Sequence, residues 1–167
     1  MITIRQATLA DIALLASFIL QLDRDCDYLL HDPDERTEDF EVTKKFLFRV
    51  INNARSAIFI AEHAVEGVVA YVCGEALIQK RVAHVMKVNI GALKKYQKKG
   101  MGRVLAYKLH EHALRVGIYR AEASIIKENN LSLNLAKRMG FELESIKRHA
   151  FKIKHQYVDE CMLVKFL

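Results

Sequence analysis

The spacing of apolar and polar positions divides the chain into a series of strands and helices. Residues 2–7 alternate between apolar and polar side chains, which predicts a strand. Thr8 and Asp11 have the spacing of a helix cap and its acidic partner, and they predict a first helix that ends near Leu22. Thr37 is predicted to cap a second helix. Runs of apolar and β-branched residues then predict strands at 57–61, 68–77 and 81–90.

The second half of the chain alternates between strand and helix. The pattern predicts helices at 101–117 and 129–140, and strands at 120–126, 141–154 and 157–166. The unit of strand, glycine turn, helix and strand in the middle predicts a parallel crossover. With 167 residues, the chain has the length of one domain, so we predict a single α/β domain of the α+β type over residues 1–167.

A turn with two glycines begins the helix predicted at 101–117. It has the sequence Gln97-Lys98-Lys99-Gly100-Met101-Gly102. Glycine lets the backbone approach a ligand closely and adopt a positive φ. The start of a helix adds unpaired N–H groups and the positive end of the helix dipole. The turn therefore predicts a binding site for a phosphate or pyrophosphate. A tight turn surrounded by solvated lysines is the alternative interpretation.

Basic charge is concentrated at this turn. The formal net charge is +6, and five side chains around the turn carry +5 of it: Lys94, Lys95, Lys98, Lys99 and Arg103. A single basic spot favours a compact polyanion over a nucleic acid, which would need an extended stripe of Lys and Arg. We therefore expect no nucleic-acid partner.

The composition argues against several other classes of protein. Cys26, Cys73 and Cys161 lie far apart, so neither a disulfide framework nor a metal-binding motif is predicted. No apolar run has the length of a membrane span, and the first residues lack the basic and apolar regions of a signal peptide. We expect a cytoplasmic protein with no metal and no membrane partner.

Two motifs resemble those of the GNAT superfamily of acyl-CoA-dependent N-acetyltransferases. Gln97, Gly100 and Gly102 match the family's pyrophosphate motif, Arg/Gln-x-x-Gly-x-Gly/Ala, at the start of a helix. Asn129 and the Gly140-Phe141 pair match a second family element at its usual spacing. The order of predicted elements is also similar over nearly the whole chain. The resemblance implies a mixed, mostly antiparallel sheet of about seven strands, flanked by about four helices and splayed between strands 4 and 5.

The resemblance also implies binding roles, with acetyl-CoA as the co-substrate. Its pyrophosphate would lie on the glycine turn, and its pantetheine arm would pair with the fourth strand where that strand separates from the fifth at a bulge. A backbone N–H near Ala92 would polarise the thioester carbonyl, and Asn129 would hydrogen-bond the cofactor. The implied binding residues are Ile90, Gly91, Ala92, Gln97, Lys98, Lys99, Gly100, Met101, Gly102, Arg103 and Asn129.

The chain departs from the family at one position. Many members carry a Tyr on the helix after the conserved Asn, and it protonates the leaving thiolate. Counted from Asn129, that position is Ala136. The protein therefore lacks a protein acid, uses a residue from elsewhere in the fold, or relies on solvent.

His84 and Glu75 are the candidate general bases. Counting by twos along the predicted fourth strand places His84 on the same face as Met86 and Val88. An imidazole suits the removal of a proton from an ammonium group near neutral pH. Glu75 lies at the end of the third predicted strand. The alternatives are a half-buried His with a local hydrogen bond and a solvated carboxylate.

An acidic segment separates the first two helices. Residues 23–41 contain nine carboxylates and two arginines, a net charge of −7. In the family this region lies beside the acceptor pocket, so the segment would attract a cationic amine such as a polyamine or a peptide N-terminus. A solvated loop whose carboxylates favour a helix start is the alternative interpretation.

The function predicted from these features is transfer of an acetyl group from acetyl-CoA to a primary amine of a small molecule or peptide. The amine would attack the thioester directly, with positioning and carbonyl polarisation as the main contributions to the rate. A non-catalytic acyl-CoA-binding protein is the alternative that the missing Tyr supports, and a nucleic-acid-binding module is a weaker one. The sequence identifies neither the acceptor nor the general base, and it leaves a homodimer open.

Overall fold

One mixed sheet with helices on both faces makes up the structure, a computed structural model that describes residues 1–33, 35–37 and 40–167. Its strands are β1 (Ile2–Gln6), β2 (Ala57–His63), β3 (Gly67–Ala76), β4 (Val85–Ala92), β5 (Arg120–Ile126), β6 (Glu142–Ile153) and β7 (Gln156–Phe166). The α-helices in this part of the chain are α1 (Ile12–Asp25), α2 (Phe40–Asn52), α3 (Met101–Arg115) and α4 (Asn130–Arg138). None of these helices is both long and apolar enough to cross a membrane.

The sheet has the strand order β1-β2-β3-β4-β5-β7-β6. All neighbours are antiparallel except β4 and β5, which are parallel and joined through α3. This arrangement confirms the predicted mixed sheet and the predicted crossover. β4 and β5 pair only from Val85–Arg120 to Lys87–Glu122, although β4 continues to Ala92. The two strands are therefore splayed over the second half of β4.

The helices cover opposite faces of the sheet. Phe18 of α1 makes an edge-to-face contact with Tyr71 of β3, with ring centroids 5.5 Å apart. On the other face, a Cβ added to Gly74 of β3 would lie 2.5 Å from both Leu109 of α3 and Met86 of β4. Because side chains alternate along a strand, neighbouring residues of β3 and β4 contribute to different layers. The main core therefore consists of two layers, one under α1 and α2 and one under α3.

Two details of the predicted splay differ from the structure. β4 starts at Val85 and not at residue 81 as predicted. Residues 80–82 form a short turn that reverses the chain, and Leu77 N–H then donates to Val85 O at 3.0 Å. β3 pairs with β4 up to Ala92 without a register shift, so the predicted bulge near Ile90, Gly91 and Ala92 is wrong. β4 and β5 separate because β4 keeps a continuous ladder with β3, and β5 keeps one with β7.

The helix predicted to end near Leu22 continues to Asp25. Its last turn is retained because two carboxylates find distant partners there: Asp23 binds Arg36, and Asp25 accepts the backbone N–H of Lys94. The predicted cap Thr37 cannot be compared, since its side chain lies outside the described residues, as do Asp34, Glu38 and Asp39 of the acidic segment.

Asp11 connects the first strand to the start of α1. It accepts two hydrogen bonds from Arg5, at 2.8 and 2.9 Å, and one from the Thr8 backbone at 2.8 Å, in the capping arrangement predicted for Thr8 and Asp11. The hydrogen bonds from Arg5 lower the pKa of Asp11 well below its usual range. Ionised Asp11 therefore stabilises the folded state.

Asp11→Asn is expected to lower the free energy of unfolding by about 1–2 kcal/mol at neutral pH, a modest value because Arg5 is partly solvated. A carboxylate with a lowered pKa in the folded state stabilises above its unfolded pKa, near 3.9, and this stabilisation is lost as the pH falls through the folded pKa. Urea unfolding should therefore show a difference between the variant and the parent that is full at pH 7 and shrinks below about pH 4. An equal difference at pH 7 and pH 2 would contradict this role.

Candidate active site

The splay leaves one edge of β4 without a partner strand. Leu77 N–H donates to Val85 O, and Leu93 N–H donates to Val69 O, both at 3.0 Å, so the odd-numbered residues of β4 direct their backbone groups toward β3. Because the direction alternates in an antiparallel ladder, Ile90 and Ala92 direct theirs toward the opening. The carbonyl of Ala92 accepts a hydrogen bond from the Gln97 side chain at 3.1 Å. The N–H groups of Ile90 and Ala92 remain available to a ligand in the opening.

The glycine turn presents a row of backbone donors at the start of α3. Gly100 is the N-cap and has a φ of 82°, and Lys98 has a φ of 58°. Within the described part of the chain, no backbone hydrogen bond is donated by the N–H groups of residues 98–102. A Cβ at Gly100 would meet nothing within 4 Å, so the space in front of the turn is open. Consecutive free N–H groups in such a turn form a concave anion-binding site.

The basic side chains around the turn differ in whether they already have an ion-pair partner. Lys95 forms an ion pair with Glu66, and its ammonium group lies 5.2 Å from the centroid of the Tyr96 ring. Lys99 lies over the same ring at 5.0 Å. Lys98, Lys99 and Arg103 have no ion-pair partner among the described residues, so their charge is available to a bound anion.

The helix after β5 lies close to this turn. A Cβ on Gly102 would lie 3.1 Å from Leu135 Cδ2 of α4, so only a small residue fits here without displacing that side chain. Asn129 caps α4 by accepting the Ser132 N–H at 3.2 Å through its side-chain oxygen. The amide nitrogen of Asn129 is left to donate to a ligand.

Ala136, the position at which many family members carry a Tyr, points away from solvent. It is 8% exposed and packs in a small cluster with Cys161 and Leu163 of β7. The Ala136 methyl group is therefore part of a buried apolar cluster.

Two side chains pack against the other face of β4 near the opening. A Cβ on Gly91 would lie 2.4 Å from Leu22 of α1 and 3.1 Å from the ring of Tyr71, so only glycine lets these two side chains lie directly against the strand. Burial raises the pKa of the Tyr71 hydroxyl well above its usual range, so Tyr71 remains a neutral phenol at working pH. Tyr71 was not among the residues predicted for the site.

The two predicted bases lie in different places. His84 is outside β4, exposed in the turn before it, and its carbonyl accepts the N–H groups of Tyr119 and Arg120. The prediction that His84 shares a strand face with Met86 is therefore wrong. His84 also precedes the paired segment of β4, at the end away from the opening, and this position gives no support to its role as a base.

Glu75 is on β3, as predicted, opposite Lys87, the last residue of β4 that pairs with β5. It lies on the face of the sheet that carries Tyr71. Its carboxylate accepts a hydrogen bond from Arg49 of α2 at 2.6 Å and is partly exposed. Glu75 thus lies one strand away from the point where β4 and β5 separate.

A buried carboxylate lies on the same side of the sheet as Tyr71. Asp23 of α1 is 2% exposed and accepts a hydrogen bond from Arg36 Nε at 2.6 Å. Sequence reasoning grouped Asp23 with the acidic segment. Its spacing of four residues from Ile19 and eight from Leu15, both buried, was the available signal that it belongs to the buried stripe of α1.

The splayed sheet places the unpaired N–H groups of the glycine turn beside the open edge of β4. A family model described as an acetyltransferase (GNAT) domain matches residues 4–162, so the chain belongs to the GNAT family of acetyltransferases, which use acetyl-CoA as co-substrate. None of the curated proteins matches the chain significantly.

Solved structures share the fold over the full length of the chain. The GNAT-family acetyltransferase from Streptococcus pneumoniae is 23% identical, with a TM-score of 0.90 and complete coverage of both chains. A GCN5-related N-acetyltransferase from Kribbella flavida is 20% identical, with a TM-score of 0.82 and coverage of 99% of this chain and 98% of the other. A phosphinothricin acetyltransferase from Sinorhizobium meliloti, solved in complex with AcCoA, is 18% identical, with a TM-score of 0.82 and coverage of 99% and 88%. At these identities the likeness concerns the fold alone.

Proposed function

We propose that this protein transfers the acetyl group of acetyl-CoA to a primary amine of a small molecule or peptide. The observation that carries the proposal is the row of unpaired N–H groups at residues 98–102, placed beside the free edge of β4. A pyrophosphate needs several convergent donors, and an extended pantetheine arm needs an unpaired strand edge, so one acyl-CoA molecule would satisfy both.

This geometry supports a set of binding roles. Residues 97–102 and Arg103 would hold the pyrophosphate, the edge at Ile90, Gly91 and Ala92 would hold pantetheine, and the free amide of Asn129 would donate to the arm. An N–H of β4 at the opening would polarise the thioester carbonyl, which stabilises the negative charge that develops during attack. The amine would enter from the face of α1 and α2, since the turn occupies the other side.

The reaction needs two proton transfers, one from the ammonium group of the acceptor and one to the leaving thiolate. Only a neutral amine attacks, so a base or solvent must remove the ammonium proton. Glu75 is the candidate base that lies on the acceptor face, where its carboxylate accepts a hydrogen bond from Arg49. Ala136 cannot protonate the leaving thiolate, so solvent or another side chain would do so.

The test is acetyl-CoA consumption by the purified protein in the presence of amines. Amino acids, polyamines, aminoglycosides and short peptides with free N-termini cover the main acceptor classes. Release of free thiol that depends on an amine, together with the acetylated product by mass spectrometry, is the expected result. Tight binding of acetyl-CoA without turnover of any amine would instead identify a non-catalytic acyl-CoA-binding protein.

The free lysines of the turn should make acetyl-CoA binding sensitive to salt. Replacing both Lys98 and Lys99 with Ala is expected to weaken binding about 3- to 10-fold at low ionic strength and to flatten the dependence of Kd on salt, because exposed charges are screened. Isothermal titration between 50 and 500 mM NaCl measures both effects; these concentrations span Debye lengths from about 14 to about 4 Å.

A matched control is available at the other end of β4. Lys80→Ala with Arg81→Ala removes the same charge from the exposed turn before the strand, and this variant should keep the salt slope of the parent. Equal slopes in the parent and in the Lys98, Lys99 variant would show that these lysines are only a solvated surface.

A further inference from the structure

A small cavity lies between the sheet and α3, next to the point where β4 and β5 separate. Its volume is about 40 Å³, and it is lined by Met86 and Val88 of β4, Ala121 of β5 and several residues of α3, among them Ala106. Met86 pairs with Ala121 in the ladder that joins β4 to β5, whereas Val88 follows Lys87, the last residue in that ladder. The cavity therefore extends from the paired segment to the first residue of the opening.

The wall of the cavity is mostly apolar. Met139 and Phe141, at the end of α4 and just after it, complete the wall on the side of that helix. His110 and Lys165 are the titratable side chains among the described residues that line it, and burial lowers the pKa of both groups, which favours their uncharged forms. A wall of this kind suits an alkyl chain or a water molecule better than an ionised group.

The reactive end of a bound acyl-CoA would lie beside this cavity. The pyrophosphate is proposed to bind at residues 98–102, and Gln97 donates to Ala92 O, so the glycine turn is at the Ala92 end of the free edge. An arm that pairs with this edge runs from Ala92 toward Val88, about 13 Å at the rise of a strand, a distance that extended pantetheine can span. The thioester would thus lie near Val88. Because β5 occupies the ladder beyond that residue, the acyl chain must leave the plane of the sheet there.

The two faces of the sheet offer separate places for the acyl chain and the amine. The amine is proposed to approach from the face of α1 and α2, so an acyl chain on the face of α3 would not block its path. A cavity needs about 10–15 Å³ for each water-sized group that it holds, so this one has room for about three non-hydrogen atoms. Acetyl carries one carbon beyond its carbonyl, propionyl two and butyryl three. The acetyl methyl would therefore leave most of the cavity unfilled.

We propose that this cavity receives the acyl chain of the donor, so that propionyl-CoA and butyryl-CoA serve as donors as well as acetyl-CoA. This inference rests on the proposed function, because it concerns the donor of that same site. In each case the amine nitrogen forms a bond to the acyl carbon and the C–S bond breaks. The thiolate of coenzyme A leaves with the electron pair, and the ammonium proton passes to a base or to solvent.

The first experiment measures the Kd of acetyl-, propionyl-, butyryl- and hexanoyl-CoA for the unmodified protein by isothermal titration. We expect affinity to rise about 2- to 4-fold with each carbon up to butyryl, because each methylene is buried in an apolar site. Hexanoyl-CoA should bind about 10-fold more weakly than butyryl-CoA, since its last two carbons exceed the room available. With one amine as the acceptor, kcat/KM should follow the same order.

Equal affinities across the series, or affinities that fall steadily from acetyl-CoA, would overturn the inference and leave the proposed function intact. The expected order of binding without turnover of any amine would keep the assignment of the cavity and overturn the proposed function. Failure of every acyl-CoA to bind would overturn both.

The second experiment fills the cavity. Ala121→Val adds two methyl groups to its wall and should weaken the binding of butyryl-CoA about 10-fold, while the Kd of acetyl-CoA stays within about 2-fold of the parent value. Ala57→Val is the matched control, because Ala57 is a buried alanine of β2 that does not line the cavity. This control carries the same risk of overpacking and should keep the order of the parent. An unchanged order in a folded Ala121→Val protein would overturn the inference.

The third experiment enlarges the cavity and also serves if Ala121→Val does not fold, which the thermal midpoint will show. Met139→Ala removes three non-hydrogen atoms from the wall and should move the tightest binding from butyryl-CoA toward hexanoyl-CoA. The same order as in the parent would contradict the assignment. A crystal structure with propionyl-CoA should show the propionyl carbons between Val88 and α3. A chain directed instead toward α1 and α2, with only water in the cavity, would overturn the inference.

Discussion

Gly102→Asp is expected to weaken the binding of acetyl-CoA about 100-fold or more. The new carboxylate would stand among the N–H groups that are proposed to hold the pyrophosphate. Two unit charges 4 Å apart repel by about 4 kcal/mol at an effective dielectric constant of 20, which corresponds to a loss of affinity of about 100-fold or more after screening. Isothermal titration of acetyl-CoA into the variant measures this loss.

The fold should survive this substitution. A Cβ at Gly102 would come within 3.1 Å of Leu135 Cδ2, which is the far end of a flexible side chain. Gly102→Asn is the matched control, because it adds the same bulk without the charge, and it should weaken binding about 10-fold or less. A folded Gly102→Asp protein with the affinity of the parent would rule out this turn as the pyrophosphate site.

Ala136→Tyr is expected to destabilise the protein and to leave kcat no higher. Many family members carry a Tyr at this position, and it protonates the leaving thiolate. The Ala136 side chain, however, lies in the buried cluster with Cys161 and Leu163. A phenol ring placed there would force the helix away from β7, at a cost of about 1–3 kcal/mol. For a chain of this size the thermal midpoint should fall by about 2–4 °C per kcal/mol.

Asn134→Tyr provides the comparison for this result. Asn134 is exposed on the same helix, so a Tyr there should change the thermal midpoint by no more than about 2 °C. If Ala136→Tyr were as stable as the parent and had a higher kcat, the helix would have to rotate to direct the ring at the thiolate. That outcome would show that the buried position of Ala136 is not maintained in the working enzyme.

The chemistry of the glycine turn could be predicted from the sequence because its determinants are local. A positive φ at Gly100, free N–H groups at a helix start and clustered lysines depend on residues within a few positions of one another. The same is true of the Asn129 cap, whose acceptor and donor are three residues apart. Strand β5 was predicted at 120–126, the range in which it is observed.

The face of β4 opposite the glycine turn could not be predicted in this way. Tyr71 and Leu22 meet at Gly91, and each of these three residues comes from a different element. Asp23 had the spacing of a buried helix residue, but its neighbouring carboxylates led to its assignment to the acidic segment. Whether a carboxylate is buried and partly satisfied depends on Arg36, thirteen residues away, and no periodicity contains that information.

The sequence by itself therefore determined the family, the order of elements and the glycine turn at the start of α3, since capping, backbone conformation and hydrophobic period act over a few residues. Only the tertiary structure decided that His84 lies outside β4, that β4 and β5 separate without a bulge and that Ala136 faces β7. The physical reason is the same in each case. These features depend on which surfaces pack together. Packing brings together residues that are distant in the chain, and their spacing in the sequence does not predict that contact.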